Sequence, residues 1–160
     1  MKSALISLSL LALASPVAAQ TPVAWVADTA KTLTDVTLTD GNLKMVCLRK
    51  SGQIRLSYPG LARPDDRFAD DRWVDRVGHG SPWPSSVTLT STTFSSTLRG
   101  TTTRLGPDGQ PVVNAEIATA APVIKAFAKT GALVAGSPSG GAQPALAKQA
   151  TVRKFLSACG

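Results

Sequence analysis

Cysteine and histidine are scarce in this chain: Cys47, Cys159 and His79 are all it has. With no CxxC pair and a single imidazole, a zinc-type site lacks ligands, so neither a metal nor another cofactor is expected. No GxSxG elbow or comparable spacing marks a nucleophile, which leaves the chain without a hydrolase signature. Past the first twenty residues no apolar run approaches the ~20 residues that a spanning helix needs. Lys and Arg form no continuous run, and Asp and Glu are interleaved with them. A nucleic-acid footprint of the single-stripe kind is therefore not visible. No internal repeat is visible either.

What is present begins with a leader. Met1-Lys2 supplies a positive start, Ala4–Ala14 is apolar except for Ser7 and Ser9, and Val17-Ala18-Ala19 is a small-residue cleavage pattern. Residues 1–19 read as a secretory signal peptide, cut after Ala19. The expected product is one exported β-rich domain, residues 20–160, periplasmic or secreted. Losing Lys2 lowers the formal net charge from +7 to +6. That charge suits an anionic envelope surface, but it is also ordinary solubilising charge, the simpler reading.

Leu43–Tyr58, LKMVCLRKSGQIRLSY, reads as a β-hairpin turning at Ser51-Gly52. Lys50 opposite Gln53 sets a register in which Cys47 faces Leu56 and Met45 faces Tyr58. Alternation then puts Leu43, Met45, Cys47, Ile54, Leu56 and Tyr58 on one face. Asp35–Thr39 adds a strand before it, and around Trp25 a short strand or an arm over the sheet fits equally well. Val87–Leu98, with a Ser/Thr-rich bend, and Val112–Ile117 are further strands, separated by the turn Gly106-Pro107-Asp108-Gly109. Pro122–Lys129 is a short helix stopped by Gly131, Leu133-Val134 a last strand, and residues 137–143 a flexible link.

Pro144–Cys159 has the strongest helical pattern. Val152, Phe155, Leu156 and Cys159 follow i, i+3, i+4, i+7 spacing on one face. In an oxidising compartment two cysteines are most simply one disulfide, with a free thiol pair as the alternative. A strand face and a helix face both aim a sulfur at one core, which supports the bond. The expected fold is mainly β (α+β): an antiparallel sheet or small sandwich, with a C-terminal helix docked by Cys47–Cys159.

The stretch from Asp65 to Pro84 is charge-dense and hard to place in regular structure, although Asp65–Val77 fits a short helix. There Phe68, Arg72 and Asp75 would share one side, and Ala69, Trp73 and Arg76 another. Its aspartates come in pairs followed by arginines, which neutralise what a cation would need. His79 with a loop aspartate permits a small exported hydrolase on paper. Trp73 and Trp83, with His79, Arg72 and Arg76, make a candidate binding loop. The simpler reading of the two tryptophans is that they close the core.

A strand with Cys47 in LKMVCLRKSGQIRLSY, and Ala132–Cys159 ending VRKFLSAC, resemble small periplasmic two-cysteine β proteins of the invasion-associated locus B and VasI type. The resemblance implies an envelope accessory or interaction protein with no catalysis of its own. Its partner would be an envelope protein or an anionic envelope polymer, with no nucleic acid involved. An inhibitor of a periplasmic hydrolase is a further alternative for a small disulfide-stapled β domain.

Overall fold

Period-two patterning becomes one antiparallel sheet, curled around two helices. The computed structural model describes residues 24–30, 34–60, 66–136 and 146–160. The expected leader and cleavage point, Asp65, the link 137–143 and Pro144 lie outside the described residues. In chain order the elements are β1 (Val26–Asp28), β2 (Asp35–Thr39), β3 (Lys44–Leu48), β4 (Gln53–Pro59), β5 (Arg67–Ala69), β6 (Arg72–Val74), β7 (Trp83–Ser91), β8 (Phe94–Thr103), β9 (Val112–Ala118), α1 (Pro122–Thr130), β10 (Val134–Gly136) and α2 (Gln149–Cys159). The main sheet runs β1-β2-β3-β4-β9-β8-β7-β10, and β5-β6 form a separate hairpin. The fold is mainly β, a single sheet with a helical layer and not a sandwich. Among the described residues no helix is long and apolar enough to cross a membrane.

The core lies between one sheet face and the helices. Val36, Leu38, Met45, Cys47, Ile54, Leu56, Val87, Leu89, Val113 and Ile117 meet Val123, Ile124, Phe127, Val152 and Phe155 there. Trp25, just before β1, packs on Phe127 with ring centroids 5.2 Å apart. Cys47 and Cys159 are both fully buried and bonded, with Cα atoms 5.8 Å apart. The hairpin faces are as the alternation dictates, but the register differs by two residues. Met45 pairs with Leu56 and Lys44 with Ser57. A two-residue slip keeps every side chain on its own face, so the core is unaffected.

The loop between β3 and β4 is longer than two residues for a tertiary reason. Lys50 and Gly52 donate their N–H groups to the carbonyls of Ala158 and Cys159, at 3.1 and 2.8 Å. They satisfy carbonyls that the end of α2 leaves without helical donors. α2 also begins later than its periodicity predicts. Ala147 gives its N–H to the Gly131 carbonyl (2.8 Å), and Lys148 is extended, so the chain enters the helix only at Gln149.

Gly131 joins the two helices. It ends α1 in the left-handed region at φ 73, with its N–H on the Phe127 carbonyl. A Cβ there would stand 2.1 Å from the Ala147 carbonyl oxygen. Gly131→Ala is expected to destabilise by at least ~1–2 kcal/mol for the backbone conformation alone. The steric clash adds to this. A denaturant midpoint equal to that of the parent protein would refute this account.

Candidate functional site

The charge-dense stretch is ordered, and it is not helical. β5 and β6 form a tight hairpin across Asp70-Asp71, both at positive φ (49 and 59). This corrects the helix expected over Asp65–Val77: two consecutive positive φ values reverse the chain as a two-residue hairpin turn does. Phe68 lies opposite Trp73, ring centroids 5.7 Å apart and edge to face.

Both tryptophans point inward. Trp73 is 8% exposed, donates its indole N–H to the Gly106 carbonyl at 2.6 Å, and carries the Arg104 guanidinium over its ring at 3.3 Å. Trp83, 5% exposed, donates its indole N–H to the His79 carbonyl at 3.0 Å. Both rings are buried, though neither belongs to the principal core cluster. Arg72, Arg76 and His79 do face solvent. Trp73, Trp83 and His79 are thus brought together, but through backbone carbonyls and not as a shared recognition surface.

His79 pairs with Asp75, Nδ1 to Oδ2 at 3.4 Å, and its side chain is 78% exposed. Asp75 Oδ1 also accepts the N–H groups of Val77 (3.0 Å) and His79 (2.8 Å). Desolvation pushes the Asp75 carboxyl up, but these N–H groups and the nearby imidazole together hold it below its ordinary 3.8. A depressed carboxyl stabilises its loop above its ordinary value, and that stability is lost as pH falls through the lowered one. Acid should therefore loosen Asp75–Gly80 while the disulfide-linked core persists. Amide exchange of Val77 and His79 measured against pH would show this. Protection that is flat through the acid range would rule it out. Among the described residues no serine or threonine hydroxyl bonds the imidazole.

A different arrangement stands on the sheet face turned away from the helices. The neighbour order β4-β9-β8 assembles cross-strand rows that the sequence separates widely. One row reads Lys44, Ser57, Asn114 and Thr101. The next has Val46, Arg55 and Glu116, and the Gly100–Ala115 pairing sets Arg99 on the far side of Glu116. Arg55 and Arg99 are thus two strand spacings apart, about 10 Å. Apart from Lys44, the residues of these rows line an open groove of about 530 Å³, with Asp35 also in its lining.

Backbone geometry shapes the groove. At Gly100 a Cβ would lie 2.0 Å from the Asn114 carbonyl oxygen, so β8 and β9 approach more closely than any side chain allows. Asn114 is oriented by its neighbours: Ser57 Oγ donates to its Oδ1 at 3.0 Å, and its Nδ2 donates to Thr103 Oγ1 at 3.0 Å. By contrast, among the described residues Arg55 and Arg99 carry neither an ion pair nor a side-chain hydrogen bond. Two guanidinium forks, a fixed amide and hydroxyls can bind a hydroxyl-rich anion. Its ionisable lining is Asp35, Arg55, Arg99 and Glu116. Sequence reasoning missed it because its residues come from strands distant in the chain. The outward alternation of Arg55, Glu116 and Arg99 was the available signal.

No known protein family, curated protein or solved structure matches this chain.

Proposed function

We propose that the protein is an exported, non-catalytic envelope binding module that takes its ligand on the open sheet face. The observation that carries this reading is the groove in which Arg55 and Arg99 flank Glu116 with no neutralising ion pair among the described residues. Rigid strands hold these side chains, and a site built on strands is better defined than one built on a loop. The role agrees with what the resemblance to invasion-associated locus B and VasI proteins implies. The ligand is an anionic envelope polymer or an envelope protein with exposed carboxylates.

The test uses the oxidised protein immobilised against separated glycan and protein fractions of the envelope. Retention should be saturable and should fall at least tenfold in Arg55→Ala/Arg99→Ala, with unfolding unchanged. Equal retention by that variant would remove the groove from the function. Turnover of ester, peptide or glycoside substrates that disappears in His79→Ala would instead establish the hydrolase built on the Asp75–His79 pair. Mass spectrometry of the exported chain checks the premise, with the mature protein beginning at Gln20.

A further inference from the structure

The helical layer carries a charge pattern that the whole-chain average conceals. Glu116 is the last acidic residue of the sequence, yet Lys125, Lys129, Lys148, Arg153 and Lys154 follow it. All five are exposed. α1 and α2 pack against each other, and both bury Val123, Ile124, Phe127, Val152 and Phe155 toward the sheet. Their outer surfaces therefore form one continuous basic layer with no acidic side chain on either helix. The opposite face of the sheet is mixed, with Asp28, Asp35 and Glu116 beside Lys44, Arg55 and Arg99.

We propose that this layer docks the protein on an anionic lipid surface, leaving the groove on the opposite face turned away from the bilayer. Charge complementarity selects the partner. Four of the five cations are lysines, compact charges on flexible stems that suit a diffuse field of headgroups more than bidentate reading of one group. Lysine is also depleted where proteins meet proteins. Leu146, 73% exposed, stands two residues before Lys148 and gives the layer an apolar contact at its edge. The apolar faces of both helices are spent on the core, so docking is adsorption without insertion.

The exported, oxidised protein is tested by co-sedimentation with phosphatidylcholine vesicles with and without phosphatidylglycerol. Binding is expected only with the anionic lipid, and should collapse at high ionic strength. Lys125→Gln/Lys129→Gln/Arg153→Gln/Lys154→Gln should lose affinity on the order of several hundredfold, about fivefold for each charge removed. Lys125→Arg/Lys129→Arg/Lys154→Arg should keep it, as should Arg55→Ala/Arg99→Ala, which separates this surface from the groove. Equal binding by the glutamine variant, or binding to both vesicle types alike, would overturn the proposal. So would retention on soluble polygalacturonate without vesicle binding, which would make the layer a glycan surface.

Discussion

Cys47→Ser and Cys159→Ser are each expected to lower the unfolding free energy by about 2–5 kcal/mol, with the double variant no worse than either single one. The bond closes a sequence separation of 112 residues, for which the chain-entropy account gives ~4–5 kcal/mol before native strain and residual denatured structure are subtracted. That is a large share of the ~5–15 kcal/mol that holds a domain together. The effect should nevertheless fall mainly on the denatured state. α2 is held by Val152 and Phe155 in the core and by the Lys50 and Gly52 N–H groups on its last carbonyls, whether or not the sulfurs are joined. The reduced protein should therefore keep its far-UV spectrum at 25 °C while its denaturant midpoint drops. Loss of structure on reduction alone would show that helix docking depends on the bond. An unchanged midpoint would show that the bond contributes nothing.

Trp83→Ala is expected to cost about 3–5 kcal/mol, the usual range for deleting a large buried ring. The residue begins β7, opposite Thr102 on β8, and its loss leaves the His79 carbonyl without its indole donor. Trp73→Ala acts on a smaller unit. Neither ring belongs to the principal core cluster. Trp83 is anchored on the long strand β7, whereas Trp73 sits on the short β5–β6 hairpin among Phe68, the Arg104 guanidinium and the Gly106 carbonyl. The β5–β6 hairpin can open without the main sheet, so hydrogen exchange there should rise sharply while the global midpoint falls less than in Trp83→Ala. Denaturant titration decides the matter. Shifts below ~1 kcal/mol in both variants would mean dispensable rings and would restore the exposed-contact role that burial argues against.

Where an element is specified by neighbours in sequence, it was legible. Val36 and Leu38 alternate, and β2 has the predicted bounds Asp35–Thr39. Pro122 and Gly131 punctuate α1 as a first-turn proline and a left-handed cap should. The β5–β6 hairpin was not legible, because Phe68, Arg72 and Asp75 on one side, and Ala69, Trp73 and Arg76 on another, also fit helical spacing. The choice was made by Trp73, whose partners Arg104 and Gly106 lie about thirty residues away. Likewise Thr92-Thr93, with Thr92 at φ 53, turns β7 into β8 without the glycine that marks such a turn in sequence.

The sequence by itself determined the buried faces of the β3–β4 hairpin, β2 and the two helices, since period two and period 3.6 depend only on local backbone geometry. It also determined the disulfide, because both periods aim their cysteine at the buried side. Tertiary structure alone decided strand order, the two-residue shift in hairpin register, and where polar groups meet. Placing β9 between β4 and β8 is what sets Glu116 between Arg55 and Arg99. Laying α1 beside α2 is what turns scattered lysines into a layer. Burial is a property of each residue and its near neighbours, whereas a site is a coincidence of distant ones. Only the closing of long loops brings that coincidence about.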